Sequence, residues 1–315
     1  MTSTAVDPTA LDDVARRKIR LFVIVGVVCI IGVVLVDALA VHTHWGRVLD
    51  QVAYEGRSVA KPSATNASER LLNTITRTSL ALLGGALILT AMLRRRPRLA
   101  LAVGVALGGA VVTTEVLKRW ILDRPLDPTI DGIPGNSYPS GHATIGMSLA
   151  LGLVIVVAHH WRWLAAIGAS VVAVLFGTGV LTTGWHRPSD VFGAYLVSLA
   201  WFSCVMAVLV RWRGRGDPRR LHEDVVEERA GPALTMLVGA LVLAAFVVVL
   251  VSSLDADGLR TVPYSRDYVL ATLLIDVAGV AVVATYHLLM RDVSPDTPPR
   301  RVHAHSGVGA PAALG

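Results

Sequence analysis

Residues 138–157, YPSGHATIGMSLALGLVIVV, decide the fold. A polar segment, Tyr138-Pro139-Ser140-Gly141-His142, opens directly onto Ala143–Val157, an apolar run without a single charge. An uncharged run of this kind reads as a hydrophobic helix, and the polar residues at its start fall where such a helix leaves the membrane for water. Seven more apolar runs flank it: Leu21–Val41, Leu71–Leu93, Leu99–Ile121, Leu164–Leu181, Val191–Val210, Pro232–Val251 and Tyr268–Leu289. Crossing the hydrocarbon core takes about 20 apolar residues, and Ala143–Val157 is the shortest of the eight.

The chain is 53% hydrophobic with a mean hydropathy of +0.59. Eight such runs in 315 residues leave too little polar chain to cover them in water. The expected fold class is therefore an all-α integral membrane protein with about eight spans. The chain before residue 18 and the tail over 291–315 are rich in small and polar residues, so disorder is expected at 1–17 and 291–315. Cys29 and Cys204 both lie inside expected spans and offer neither a disulfide framework nor a metal-ligand cluster.

Basic residues favour the cytoplasmic side. They gather at Arg16-Arg17-Lys18 and Arg20, at Arg94-Arg95-Arg96 and Arg98, from Arg211 to Arg220, and at Arg291, Arg300 and Arg301. An even number of spans separates each cluster from the next, so both termini are expected in the cytoplasm. The segments around Arg124, His142 and His186 then fall on the extracytoplasmic face of the cell membrane. The net charge of +6 and pI near 9.7 are met by these juxtamembrane turns. Attraction to anionic lipid explains them, and no nucleic-acid partner is expected.

Three polar stretches on that outer face carry the chemistry. Ser140-Gly141-His142 precedes a helix, whose first backbone amides point outward and attract anions. Ser140 is placed to cap, Gly141 lets a phosphate oxygen approach, and His142 is placed to act as a general acid. His186 is followed four residues on by Asp190, with Pro188 suited to a first helical turn. A carboxylate at that spacing binds one imidazole nitrogen and leaves the other free to attack phosphorus. Lys118, Arg119 and Arg124 stand at the outer end of the third span, against the positive-inside bias, as a point charge and planar forks for phosphate oxygens.

The order of these motifs resembles the phosphatidic acid phosphatase type 2 (PAP2) superfamily, in its membrane lipid phosphatase branch. The family pattern has a Lys…Arg-Pro stretch, then Pro-Ser-Gly-His, then Ser-Arg…His-x-x-x-Asp. Here it reads Lys118…Arg124-Pro125, Pro139-Ser140-Gly141-His142 and His186-x-x-x-Asp190, within roughly residues 70 to 210. The resemblance implies a six-helix core over residues 18–211, a cytoplasmic loop over 212–230 and two additional C-terminal membrane helices over 231–290. It implies that His186 is the nucleophile, Asp190 its orienting partner and His142 the acid–base residue. Lys118, Arg124, Ser140 and Gly141 would bind phosphate, with neither metal nor cofactor.

Two departures stand out. Five residues separate Lys118 from Arg124 where the family pattern has six, and the expected Ser-Arg pair falls at Gly179-Val180. A phosphate-binding arginine is thus missing, and Arg187, adjoining the nucleophile, is the first candidate to replace it, ahead of Arg119 and Arg77. The expected function is a lipid phosphatase that forms a phosphohistidine. Its substrate would be phosphatidic acid, phosphatidylglycerol phosphate or a polyprenyl phosphate or pyrophosphate. The alternatives are a catalytically weak protein that binds or moves lipid phosphates, and a lipid phosphotransferase.

Overall fold

The computed structural model describes residues 8–74, 77–125, 135–213, 247–248 and 251–291. Among them the chain is helical throughout, apart from short connections and a single antiparallel bridge between Ala60 and Leu254. The first helix, α1, spans Pro8–Val36 and passes into a π-turn over Asp37–Val41. It begins inside the segment expected to be disordered, because Ala10, Leu11 and Ala15 to Lys18 are strong helix formers.

Residues 43–70, between the first two expected spans, are largely helical too. Thr43 caps α2 (His44–Glu55) by accepting the Gly46 N–H at 3.0 Å. A 3-10 turn, Gly56–Val59, and α3 (Pro62–Thr74) follow. The second expected span, Leu71–Leu93, is divided between α3 and α4 (Arg77–Leu93). On either side of the division, Thr74 donates to Arg70 O and Ser79 to Thr74 O, each at 2.7 Å.

Next come α5 (Pro97–Val116), ending in a π-turn over Leu117–Ile121, then α6 (Gly141–Val156), α7 (Arg162–Thr182), α8 (Pro188–Arg213) and α9 (Ser265–Met290). Five helical stretches are long and apolar enough to cross a membrane: Ala15–Val41, Pro97–Ile121, His159–Thr182, Pro188–Trp212 and Ser265–Met290. Counting α3 and α4 as one bent span makes six, with α6 shorter than the rest. The expected eight are therefore not reached among the described residues. The expected loop beyond Arg213, most of Pro232–Val251 and the tail after Arg291 lie outside them.

The helices pack around α8. Apolar contact alone drives helix association weakly in lipid, so interhelical hydrogen bonds matter. Trp201 on α8 donates to Thr113 on α5 at 2.9 Å, Ser148 on α6 to Ser198 on α8 at 3.2 Å, and Tyr195 on α8 to Ala173 O on α7 at 2.6 Å. The short α6 is enclosed, with most of its side chains buried. Helix α1 instead turns Ile24, Val28, Ile31 and Leu35 outward. So contiguous an apolar face belongs against lipid.

The last helix, expected as an addition to the core, is built into it. Tyr268, Ile275, Val283 and Tyr286 of α9 share one hydrophobic cluster with Leu151, Val180 and Phe202. Asp276, a carboxylate within this span, accepts from Thr178 on α7 at 2.7 Å. At its far end, Arg162 donates to Met290 O at 2.9 Å and Lys18 to Leu289 O at 3.4 Å, meeting carbonyls the helix leaves unsatisfied.

Candidate active site

Three chain segments distant in sequence converge at the start of α8. Pro188 opens the helix, and Asp190 stands in its first turn, where helix dipole and carboxylate attract. Asp190 is fully buried. Its Oδ2 accepts three hydrogen bonds, from Ser137 Oγ at 2.6 Å, Arg187 N at 3.0 Å and His186 Nδ1 at 3.1 Å. A carboxylate only accepts, so the imidazole proton sits on Nδ1 and Nε2 keeps its lone pair. His186 is thus held through Nδ1, which leaves Nε2 unengaged by Asp190.

The other histidine is carried by α6. Ser140 is fully buried and caps that helix by accepting the Ala143 N–H at 3.3 Å. Its own N–H donates to Asp190 O at 2.9 Å. The cap of α6 and the start of α8 are thereby joined backbone to backbone. His142, in the first turn of α6, lies against Trp185, with ring centroids 5.1 Å apart. That contact sets it beside the residue preceding His186. Gly141 follows the cap, and a Cβ built on it would lie 3.7 Å from Lys118 Nζ and 3.4 Å from Glu115 Oε1.

Lys118 therefore reaches the N-terminus of α6 from the π-turn that ends α5. Its Nζ also pairs with Glu115 at 3.7 Å, and Arg119 pairs with the same carboxylate at 2.8 Å. Asn136 ties this region together, donating to Leu122 O at 2.8 Å and accepting the Tyr138 N–H at 3.0 Å. Tyr138 in turn donates to Val33 O on α1 at 2.7 Å. Its ring lies so close to α8 that a Cβ on Gly193 would collide with it. Only glycine admits that approach.

Arg124 is buried at the centre. Its Nη2 lies 3.4 Å from Asp190 Oδ1, from Asp50 Oδ2 and from Ser189 Oγ. The shorter spacing from Lys118 thus still brings both cations to the site. Arg187 is also fully buried, and its Nε donates to Gln51 Oε1 at 3.3 Å. Val180 occupies the position of the expected arginine and packs in the hydrophobic core. Its carbonyl accepts the N–H groups of Trp185 and His186 at 3.0 and 3.2 Å. The side chain of Arg77 lies outside the described residues.

Helix α2 supplies residues that the motifs do not reveal. Asp50 accepts the Ser189 N–H at 2.9 Å and its hydroxyl at 2.5 Å. Gln51 holds Arg187, and Tyr54 donates to Gly184 O at 3.1 Å. Burial first, and the charge of Asp190 second, push the Asp50 carboxyl upward; Ser189 and Arg124 pull it back. Residues 50, 51 and 54 lie on one side of α2, a spacing that by itself names none of their partners.

Among the described residues, no group of three or more His, Cys, Asp or Glu side chains is placed to hold a metal ion. The chemistry this arrangement supports is transfer of an anionic group to His186 beside a cluster of cations. No curated protein and no solved structure matches the chain. The family model of the PAP2 superfamily matches residues 98–214, the segment that carries Lys118, Arg124, Ser140, Gly141, His142, His186 and Asp190. Through that segment the chain is similar to the PAP2 superfamily.

Proposed function

We propose that the protein is an integral-membrane lipid phosphatase working through a phosphohistidine. The observation that carries this reading is the His186–Asp190 pair, in which a buried, triply bonded carboxylate oxygen fixes the imidazole with Nε2 unengaged by Asp190. His186 Nε2 attacks the phosphorus, forming a P–N bond as the P–O bond to the lipid breaks. His142 gives its proton to the departing oxygen. A water then attacks the phosphorus, losing its proton to His142, and the P–N bond breaks to release phosphate.

The cations supply the charge that this transfer needs. Lys118 and the amides at the N-terminus of α6 hold phosphate oxygens, and Ser140 acts by capping that helix. Arg124 contributes its charge from behind, where it also restrains Asp190. Substrates are phosphate monoesters or pyrophosphates of lipids, of the phosphatidic acid, phosphatidylglycerol phosphate or polyprenyl class. The site faces the extracytoplasmic leaflet, a reading that the positions of the basic loops support.

The test is phosphate release from a panel of these lipids by purified protein in detergent, beside His186→Ala. Release by the parent and none by the variant supports the reading. Equal release by both, or none by the parent across the panel, overturns it.

A further inference from the structure

We propose that Arg57, in the 3-10 turn after α2, supplies the phosphate-binding guanidinium that position 180 lacks. The inference rests on the phosphatase reading for the nature of the anion. It concerns a residue outside the segment 98–214 that matches the family.

Four arginines near the site are committed elsewhere, Arg47 by donating to Pro125 O at 3.0 Å. Arg124 has no exposed side-chain surface and is held by Asp50, Asp190 and Ser189. Arg187 is fully buried and bound to Gln51. Arg119 points away into solvent, 62% exposed, and pairs with Glu115. Arg57 is half-buried. It therefore keeps surface for a ligand.

Its place is set by α2. Along the face of that helix, Asp50 binds Ser189, Gln51 binds Arg187 and Tyr54 binds Gly184, walking back along the segment that carries His186. Arg57 comes next on the same stripe, three residues beyond Tyr54. Its guanidinium carbon lies 3.8 Å from the centroid of the Tyr54 ring, and Nη1 donates to Tyr54 O at 2.8 Å. A cation so stacked keeps a fixed orientation at little further cost in side-chain freedom.

Gly184 makes room for it. Its φ of +71° is in the left-handed region, and a Cβ there would lie 2.5 Å from Arg57 Nε. The chain thus leaves a side chain out, two residues before the nucleophile, where this guanidinium sits. A planar fork at that point suits the oxygens of a phosphoryl group on His186.

The experiment uses the full-length protein in detergent and inorganic orthovanadate, a mimic of the transferring phosphoryl group. Vanadate affinity is measured for the parent, Arg57→Gln and Arg57→Lys, beside phosphate release from the same panel of lipid phosphates. Removing one charged hydrogen bond is expected to weaken vanadate binding in Arg57→Gln roughly tenfold or more, with Arg57→Lys recovering part of it. The melting temperature without vanadate is expected to stay near the parent value in both variants. Vanadate binding by Arg57→Gln within about twofold of the parent overturns the assignment. If vanadate binding depends on Arg57 but the parent releases no phosphate, the inference holds and the phosphatase reading falls. If the parent binds no vanadate, both fall.

Discussion

Asp50 and Ser189 stand 139 residues apart in sequence, yet one carboxylate takes both the backbone N–H and the hydroxyl of the serine, at 2.9 and 2.5 Å. The bond caps α8 from another helix. Because α8 carries Asp190, and Asp190 holds His186, α2 is part of the frame of the candidate site.

Asp50→Ala leaves the Ser189 N–H without its acceptor and takes one of two carboxylates from Arg124. Breaking a buried pair in this way costs about 3–5 kcal/mol, so a large drop in melting temperature is expected. Asp50→Asn keeps an acceptor for Ser189 and should lose less. The pH dependence adds a sign. With its folded-state value held up to about 6, Asp50 contributes stability that is fully present below its ordinary value of 3.8 and lost as pH rises through about 6. Between those limits Asp50→Asn should show a shallower fall of melting temperature with pH than the parent. An unchanged slope would mean that Asp50 is not the group responsible.

His186→Ala is expected to abolish phosphate release, because no other nucleophile replaces it. Asp190→Asn should leave a small residual rate, since it disturbs tautomer and orientation without removing the attacking nitrogen. Release should persist in EDTA and be inhibited by vanadate. Normal turnover in His186→Ala, or a strict Mg²⁺ requirement, rules out the phosphohistidine route.

Arg187 and Val180 separate support from phosphate binding. Arg187→Gln removes a buried charge and its bond to Gln51, and turnover is expected to fall roughly tenfold or more. Because that guanidinium is buried under α2, the melting temperature should fall with it. Val180→Arg should not rescue the loss. Val180 is fully buried in the hydrophobic core, so the new charge would be desolvated rather than delivered to phosphate. Rescue by Val180→Arg, with stability kept, would show that a path from position 180 to the phosphate exists.

The sequence exposed the parts of this site that lie close together along the chain. His186 and Asp190 are four residues apart at a helix start, and Ser140 caps the apolar run it precedes. Both relations are local, so spacing is enough to find them. Asp50, Gln51 and Tyr54 act across 139, 136 and 130 residues, which no local pattern records. Their helix lies in a polar stretch between apolar runs, where hydropathy reads only an outer loop. The same limit applies to Leu71–Leu93, a continuous apolar run that is shared between α3 and α4, bent by 65°. The resemblance made α9 an addition to a six-helix core, and it carries no sign of the bond by which Thr178 donates to Asp276.

The orientation of the frame in the membrane can be tested through α3 and α5. Trp45 on α2 and Trp120 in the π-turn after α5 are 76% and 77% exposed, at the end of the bundle that holds the site. Exposed tryptophans of this kind settle at a membrane–water interface, while the basic cluster Arg94 to Arg98 is expected on the opposite, cytoplasmic side by the positive-inside bias. Ser63 lies in α3 and Arg98 follows α4, so a crossing is expected between them where α3 and α4 form one bent span. Single cysteines at Ser63 and Arg98, in a chain with Cys29 and Cys204 replaced, should be labelled by an impermeant thiol reagent from opposite sides of sealed vesicles. Ser63 should react from the extracytoplasmic side. Labelling of both from one side would remove the crossing between them, and labelling of Ser63 from the cytoplasm would place His186 on the wrong leaflet for the proposed substrates.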